Sequence, residues 1–156
     1  MVGLTGSHTT AHLYRALLEG IALEQALVTE MVERDSGIEV REFVAIGGGA
    51  ASDLWLQIFA DACGKAVKRP RAVEASSLGA AMCAATAAGW FPGVPAAAVA
   101  MSGPVVREVE PRLPNRVRYA ELLEICRAIY PQLRQTYQKL AAYQRTGGKT
   151  PGESAT

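Results

Sequence analysis

Residues 46–55 read IGGGAASDLW. Three consecutive glycines follow the apolar run Phe43-Val44-Ala45-Ile46 and precede an amphipathic segment. Each glycine costs about 0.5–1 kcal/mol relative to alanine in regular structure. Three together call for a compensation, either an unusual backbone path or close approach by a ligand. A short apolar run bounded by turn residues predicts a buried strand. Ser52 is placed to cap a helix that runs to about Cys63, with Leu54, Trp55, Ile58 and Phe59 inward. Gly64 stands where a left-handed residue closes a helix. Strand, glycine turn and helix N-terminus make a nucleotide cradle, because backbone N–H groups and the helix dipole face an anion. The same pattern also serves tight packing alone, and the residues by themselves leave both readings open.

Two named nucleotide motifs fail here. The Rossmann fingerprint needs glycine or alanine at its last position, where Gly47-Gly48-Gly49-Ala50-Ala51-Ser52 carries serine. Gly148-Lys149-Thr150 imitates the end of a Walker A loop, but Tyr143 occupies the place of its first glycine, with no strand before it and no helix after it.

Upstream of the turn, Thr9 to about Glu33 predicts a long helix. Leu13, Leu17, Ile21, Val28 and Met31 recur near helical spacing, and Leu23 and Leu27 broaden the stripe. Downstream, Lys65–Lys68 predicts a second strand ended by Pro70. A small-residue helix follows over Leu78–Ala88, closed by Gly89. Ala96–Met101 predicts a short helix and Val105–Val109 an edge strand. From Pro114 to about Arg145 a long helix returns, with Tyr119, Leu122, Cys126, Ile129, Leu133, Tyr137 and Leu140 stepping by three or four. Pro131 is expected to kink or split it. Residues 146–156 read as a polar, flexible tail. The result is an α/β chain, helix-rich with a small sheet. It opens almost directly into a helix, like the latter part of a domain.

The bulk properties narrow the function. At 156 residues, roughly two thirds of the unfolded surface can be buried in one domain. A net charge of +1 with no basic block gives no footing for nucleic acid. No apolar run approaches the ~18 residues of a membrane helix. Residues 1–10 carry no secretory pattern, so a cytoplasmic location is expected. Cys63, Cys83 and Cys126 are odd in number and far apart, which argues against a disulfide framework and a zinc site. They read as small buried hydrophobes. His8 and His12 lie four apart at a helix start, but no third ligand accompanies them, so no metal residue is assigned.

The motifs together resemble a family. GLTGSHTTAHLYRALLEGIAL, IGGGAASDLWLQIFADACGKAV, EASSLGAAMCAATAAGWF and VRYAELLEICRAIYPQLRQTYQKL follow one another as in the C-terminal domain of the FGGY carbohydrate kinases, most like the xylulokinase branch. The resemblance spans Gly3 to Leu140. It implies the actin-like ATPase, ribonuclease H-like fold over 1–145, with ATP on this domain and sugar held against an N-terminal domain across a cleft. It implies that Gly47, Gly48, Gly49 and Ala50 pass close to the nucleotide, with Ser52 and Asp53 near its adenine or ribose. Leu78, Gly79 and Ala80 would pack the small-residue helix onto the sheet. Glu74 would be a cap or an ion pair, Trp55 a packing aromatic, and Asp61 a solvated or hinge-region ion pair.

Phosphorylation of a sugar needs a general base and Mg²⁺ beside ATP. The family's base is an aspartate in a G-D-[QH] motif, which this chain lacks; Asp35, Asp53 and Asp61 fall at other positions. No catalytic residue is therefore assigned, and the chain alone is expected not to phosphorylate sugar. Two alternatives stand beside the kinase portion. One is a separately encoded nucleotide-binding module that needs a partner chain. The other is a non-catalytic remnant that self-associates, as a homodimer or larger, through the Tyr119–Leu140 stripe.

Overall fold

The computed structural model describes residues 3–72 and 74–145. The tail expected at 146–156 lies outside the described residues. Among the described residues, five helices and three strands follow in the order α1 (Thr10–Ser36), β1 (Glu42–Val44), a 3₁₀ turn (Gly48–Ala51), α2 (Asp53–Cys63), β2 (Ala66–Pro70), α3 (Ala75–Ala87), α4 (Val94–Met101), β3 (Val105–Val109) and α5 (Leu113–Arg145). The sheet order is β1-β2-β3. β1 pairs with β2 in parallel, Phe43 opposite Val67, and β3 closes antiparallel, Val67 opposite Val109. The parallel pair needs a crossover connection, which α2 supplies.

α2 is packed on two sides. Leu56 and Ala60, one turn apart, join Val67 and Val109 over the sheet. Ile58 and Ala62 turn the other way, onto Ala22, Leu23 and Ala26 of α1 and Tyr119 and Leu123 of α5. Leu54 was expected inward, yet it is exposed and Leu56 is buried in its place. Leu54 shares the side of Ile58 and Ala62 but lies one turn ahead of the part that is covered, while Leu56 belongs to the opposite, sheet-facing side.

α1 differs in a related way. Its buried residues are Ala22, Leu23, Ala26 and Thr29, whereas Leu17, Ile21 and Met31 of the predicted stripe are exposed at 57%, 57% and 47%. Two apolar faces run along this helix, and small residues on one let α2 approach closely. Leu18, Leu23 and Leu27 belong with the alanines to the packed face, and Leu17, Ile21 and Met31 to the uncovered one.

The C-terminal half of α5 also stands clear. Tyr119 and Leu123 are buried in the helix layer, but Tyr137 and Leu140 are 46% and 52% exposed. Tyr130 and Tyr137, two turns apart, stack with centroids at 6.3 Å. α5 passes Pro131 as one helix, so of the two expected effects, a kink or a split, the split does not occur.

The small-residue helix begins at Ala75, three residues earlier than predicted, and its main packing partner is α4 rather than the sheet. Met82, Ala85 and Ala97 are buried between the two helices. Gly79 faces open space. Glu74 holds the N-cap position of α3 without a side-chain cap bond. Cys83 is exposed, unlike the half-buried Cys63 and Cys126.

Candidate functional site

The turn after β1 is built from its glycines one by one. Gly47 has φ 77° and ψ −174°, a region that only glycine occupies readily. Gly49 has a packing reason: a Cβ there would meet Nε1 and Cδ1 of Trp55 at 3.1 and 3.2 Å. Gly48 has neither. Its φ is not positive, and a Cβ would find nothing within 4 Å. The chain itself supplies no reason for glycine at 48, and the space beside it is open.

The polar groups of the turn follow from its hydrogen bonds. The first bond of the 3₁₀ turn runs from the Ala50 N–H to the Gly47 carbonyl at 3.1 Å. The Gly48 and Gly49 N–H groups precede it and have no acceptor within the turn. Ser52 then caps α2, its hydroxyl accepting from the Trp55 N–H at 3.2 Å. Asp53 opens α2 and favours its positive end. The six residues expected to meet a nucleotide therefore lie on one continuous corner: Gly47, Gly48, Gly49, Ala50, Ser52 and Asp53.

Aromatic side chains support the corner from within. Trp55 meets Phe59 edge-on with centroids at 5.9 Å, and Phe59 meets Phe43 of β1 at 5.3 Å. Trp55 is thus the packing aromatic that was expected. A hollow of about 300 Å³ opens beside these rings, with Ile46, Gly49 and Ala50 on its turn side.

Asp61 is not the solvated ion pair expected from the motif. It is 2% exposed. Its carboxylate accepts from Gln57 Nε2 at 2.8 Å, from the Arg112 N–H at 2.7 Å and from Asn115 Nδ2 at 2.8 Å. These bonds fix the start of α5 to α2, and Gln57 adds a bond to the Glu110 carbonyl at 3.0 Å. At the start of α1, His8 and His12 turn their Nδ1 atoms to the Thr5 and Thr9 hydroxyls, 2.8 Å each. Among the described residues, no group of three or more His, Cys, Asp or Glu could hold a metal ion.

Sequence reasoning missed Arg69, on β2. Its Nη1 lies 2.9 Å from the Ala50 carbonyl and 3.1 Å from Asp53 Oδ1. The residue is sixteen positions from Asp53, and only strand pairing brings the two together.

The family description "FGGY family of carbohydrate kinases, C-terminal domain" matches residues 1–88. A glycerol kinase of Rhodopirellula baltica is 38% identical over 130 residues, covering 80% of this chain and 24% of the relative. A xylulose kinase of Staphylococcus epidermidis is 36% identical over 135 residues, covering 86% and 27%. The crystal structure of xylulose kinase from Rhodospirillum rubrum superposes with a TM-score of 0.72 at 29% identity, over 88% of this chain and 28% of that one. The chain belongs to the FGGY carbohydrate kinases, and its fold is that of their C-terminal, actin-like ATPase domain. It spans about a quarter of the length of the curated relatives it matches.

Proposed function

We propose that this chain is the ATP-binding portion of a carbohydrate kinase, an ATP-dependent phosphotransferase acting on a sugar or polyol hydroxyl. The observation that carries this reading is Gly48. Membership of the family brings ATP as phosphate donor, and Gly48 presents bare backbone with open space where neither conformation nor packing asks for glycine. The N–H groups of Gly48 and Gly49 would donate to the nucleotide, with Ser52 and Asp53 at the edge of the same site.

Mg²⁺ would arrive on the phosphates and offset part of their charge. The general base and the sugar contacts would come from outside this chain. The uncovered face of α1, at Leu17, Ile21 and Val28, supports that view: an apolar face of this kind suits further polypeptide. That polypeptide would be a preceding part of the same protein or a separately encoded partner. Residues 1–145 would then act as the nucleotide-side domain. A pentulose such as xylulose is the preferred acceptor, because the four motifs most resemble the xylulokinase branch. The setting would be cytoplasmic; among the described residues, no helix is long and apolar enough to cross a membrane.

Titration calorimetry with Mg-ATP tests the reading. The 156-residue chain should bind, and Gly48→Leu should remove binding while far-UV circular dichroism stays unchanged. Absence of heat with the unaltered chain, or equal heat from Gly48→Leu, would overturn it. The chain alone should not turn over D-xylulose; turnover that Gly48→Leu abolishes would show that it carries its own base.

A further inference from the structure

A turn made of glycines has no side chains with which to hold itself. Gly47 and Gly48 touch nothing that a Cβ would reach, and glycine loses more backbone freedom on ordering than any other residue. A site that binds through backbone N–H groups nevertheless needs them fixed before the ligand arrives, or binding must bear that ordering cost. Something outside the turn must fix it.

We infer that Arg69 is the positioning residue of the glycine turn. Its guanidinium reaches across from β2 and ties the last two residues of the turn and the first of α2 to the middle of the sheet. Nη1 carries two protons, and they meet the Ala50 carbonyl at 2.9 Å and Asp53 Oδ1 at 3.1 Å, with the Ala51 carbonyl at the limit of 3.5 Å. β2 is the central strand, and Arg69 follows directly on Lys68, the last residue that pairs with β1, and pairs itself with Arg107 of β3. The Arg69 side chain is 21% exposed.

The pairing of the strands explains why an aspartate opens α2. Arg69 stands directly opposite Arg107 of β3. Like charges across a strand pair repel. Asp53 lies between them, with Oδ1 on Arg69 and Oδ2 at 3.8 Å from Arg107. The carboxylate therefore holds Arg69 in the orientation that serves the turn.

The structural tie stands on geometry alone; its effect on nucleotide affinity rests on the proposed ATP site. Amide hydrogen exchange on the 156-residue chain tests the tie without nucleotide. In Arg69→Gln, the N–H groups of Ala50 and Ser52, bonded to the Gly47 and Gly49 carbonyls, should exchange about tenfold faster while those of β2 keep their protection. Arg69→Lys, which keeps the charge but loses the planar fork, should fall between, and it serves if the glutamine variant does not fold. Arg107→Gln removes the same charge one strand away and should leave the turn within about twofold.

Mg-ATP affinity should weaken about tenfold in Arg69→Gln, with far-UV circular dichroism unchanged. Unchanged exchange at Ala50 and Ser52, or an equal effect from Arg107→Gln, would overturn the inference. So would a loosened turn that binds Mg-ATP as tightly as before. If the unaltered chain binds no Mg-ATP, the ATP reading fails, while the exchange experiment still decides the tie.

Discussion

Asp61 in the last turn of α2 accepts a hydrogen bond of 2.7 Å from the peptide N–H of Arg112, at the threshold of α5. One buried carboxylate thereby joins two helices through the last residue before the second one begins. The other aspartate of α2, Asp53, is 59% exposed and bound to an arginine. The two should behave differently when removed. Asp61→Ala leaves a backbone donor without its acceptor and should cost about 1–3 kcal/mol or more. Asp53→Ala should cost about 0–1 kcal/mol. Urea denaturation of both variants measures the difference; equal costs would contradict it.

The glycines of the turn should separate by mechanism. Gly47→Ala forces a side chain into a conformation that costs about 1–3 kcal/mol. Gly49→Ala presses a methyl group against Trp55 at 3.1 Å, so the indole must shift, and tryptophan fluorescence should report a changed environment. Gly48→Ala should leave stability within about 0.5 kcal/mol, because its new Cβ meets open space. A Gly48→Ala variant as unstable as Gly47→Ala would mean that the space beside residue 48 is filled.

Acid sensitivity should concentrate at Glu33. Its Oε1 accepts from Lys65 Nζ at 2.9 Å and from the Val40 N–H at 2.8 Å, and these bonds, Lys65 first, hold its carboxyl below the usual carboxylate value. A depressed value means that the unfolded chain takes up the proton first. The contribution is therefore present above the unfolded pKa, about 4.3, and is lost as pH falls through the folded value. Between pH 5 and pH 3, the urea midpoint of the unaltered chain should fall more steeply than that of Glu33→Gln. Parallel slopes would remove Glu33 from the account.

The thiols should react in order of burial. Burial pushes Cys63 up to about 12, against a minor opposing pull from Lys65. Cys126 is raised as well, chiefly by burial. Cys83 is exposed. An aromatic disulfide reagent at pH 8 should therefore modify Cys83 first and reach Cys63 only as the chain unfolds. Rapid modification of Cys63 in the folded chain would contradict its packing against α1.

The two halves of α5 should differ in energetic weight. Leu123→Ala opens a hole in the helix layer and should cost about 2–5 kcal/mol. Leu140→Ala, on the uncovered half, should change stability by less than about 0.5 kcal/mol. Thermal unfolding of the two variants checks this, and comparable losses would place a packed partner on the distal half.

Sequence by itself determined the order and type of every element, because periodicity, capping and turn chemistry are local. Ser52 caps α2, Gly64 closes it at φ 66°, and β3 occupies Val105–Val109 as predicted. The four motifs sufficed for the family. Only the tertiary structure decided which faces pack: Ala22 and Ala26 of α1 rather than Leu17 and Ile21, and Leu56 of α2 rather than Leu54. Hydrophobic spacing marks a helix but does not say which of two apolar faces meets a neighbour, nor what covers the other. The same holds for charge. Asp61 and Arg112 lie fifty-one positions apart, and Arg69 and Asp53 sixteen. No local pattern relates such pairs; they meet because the sheet and the helix layer bring distant backbone within hydrogen-bonding reach.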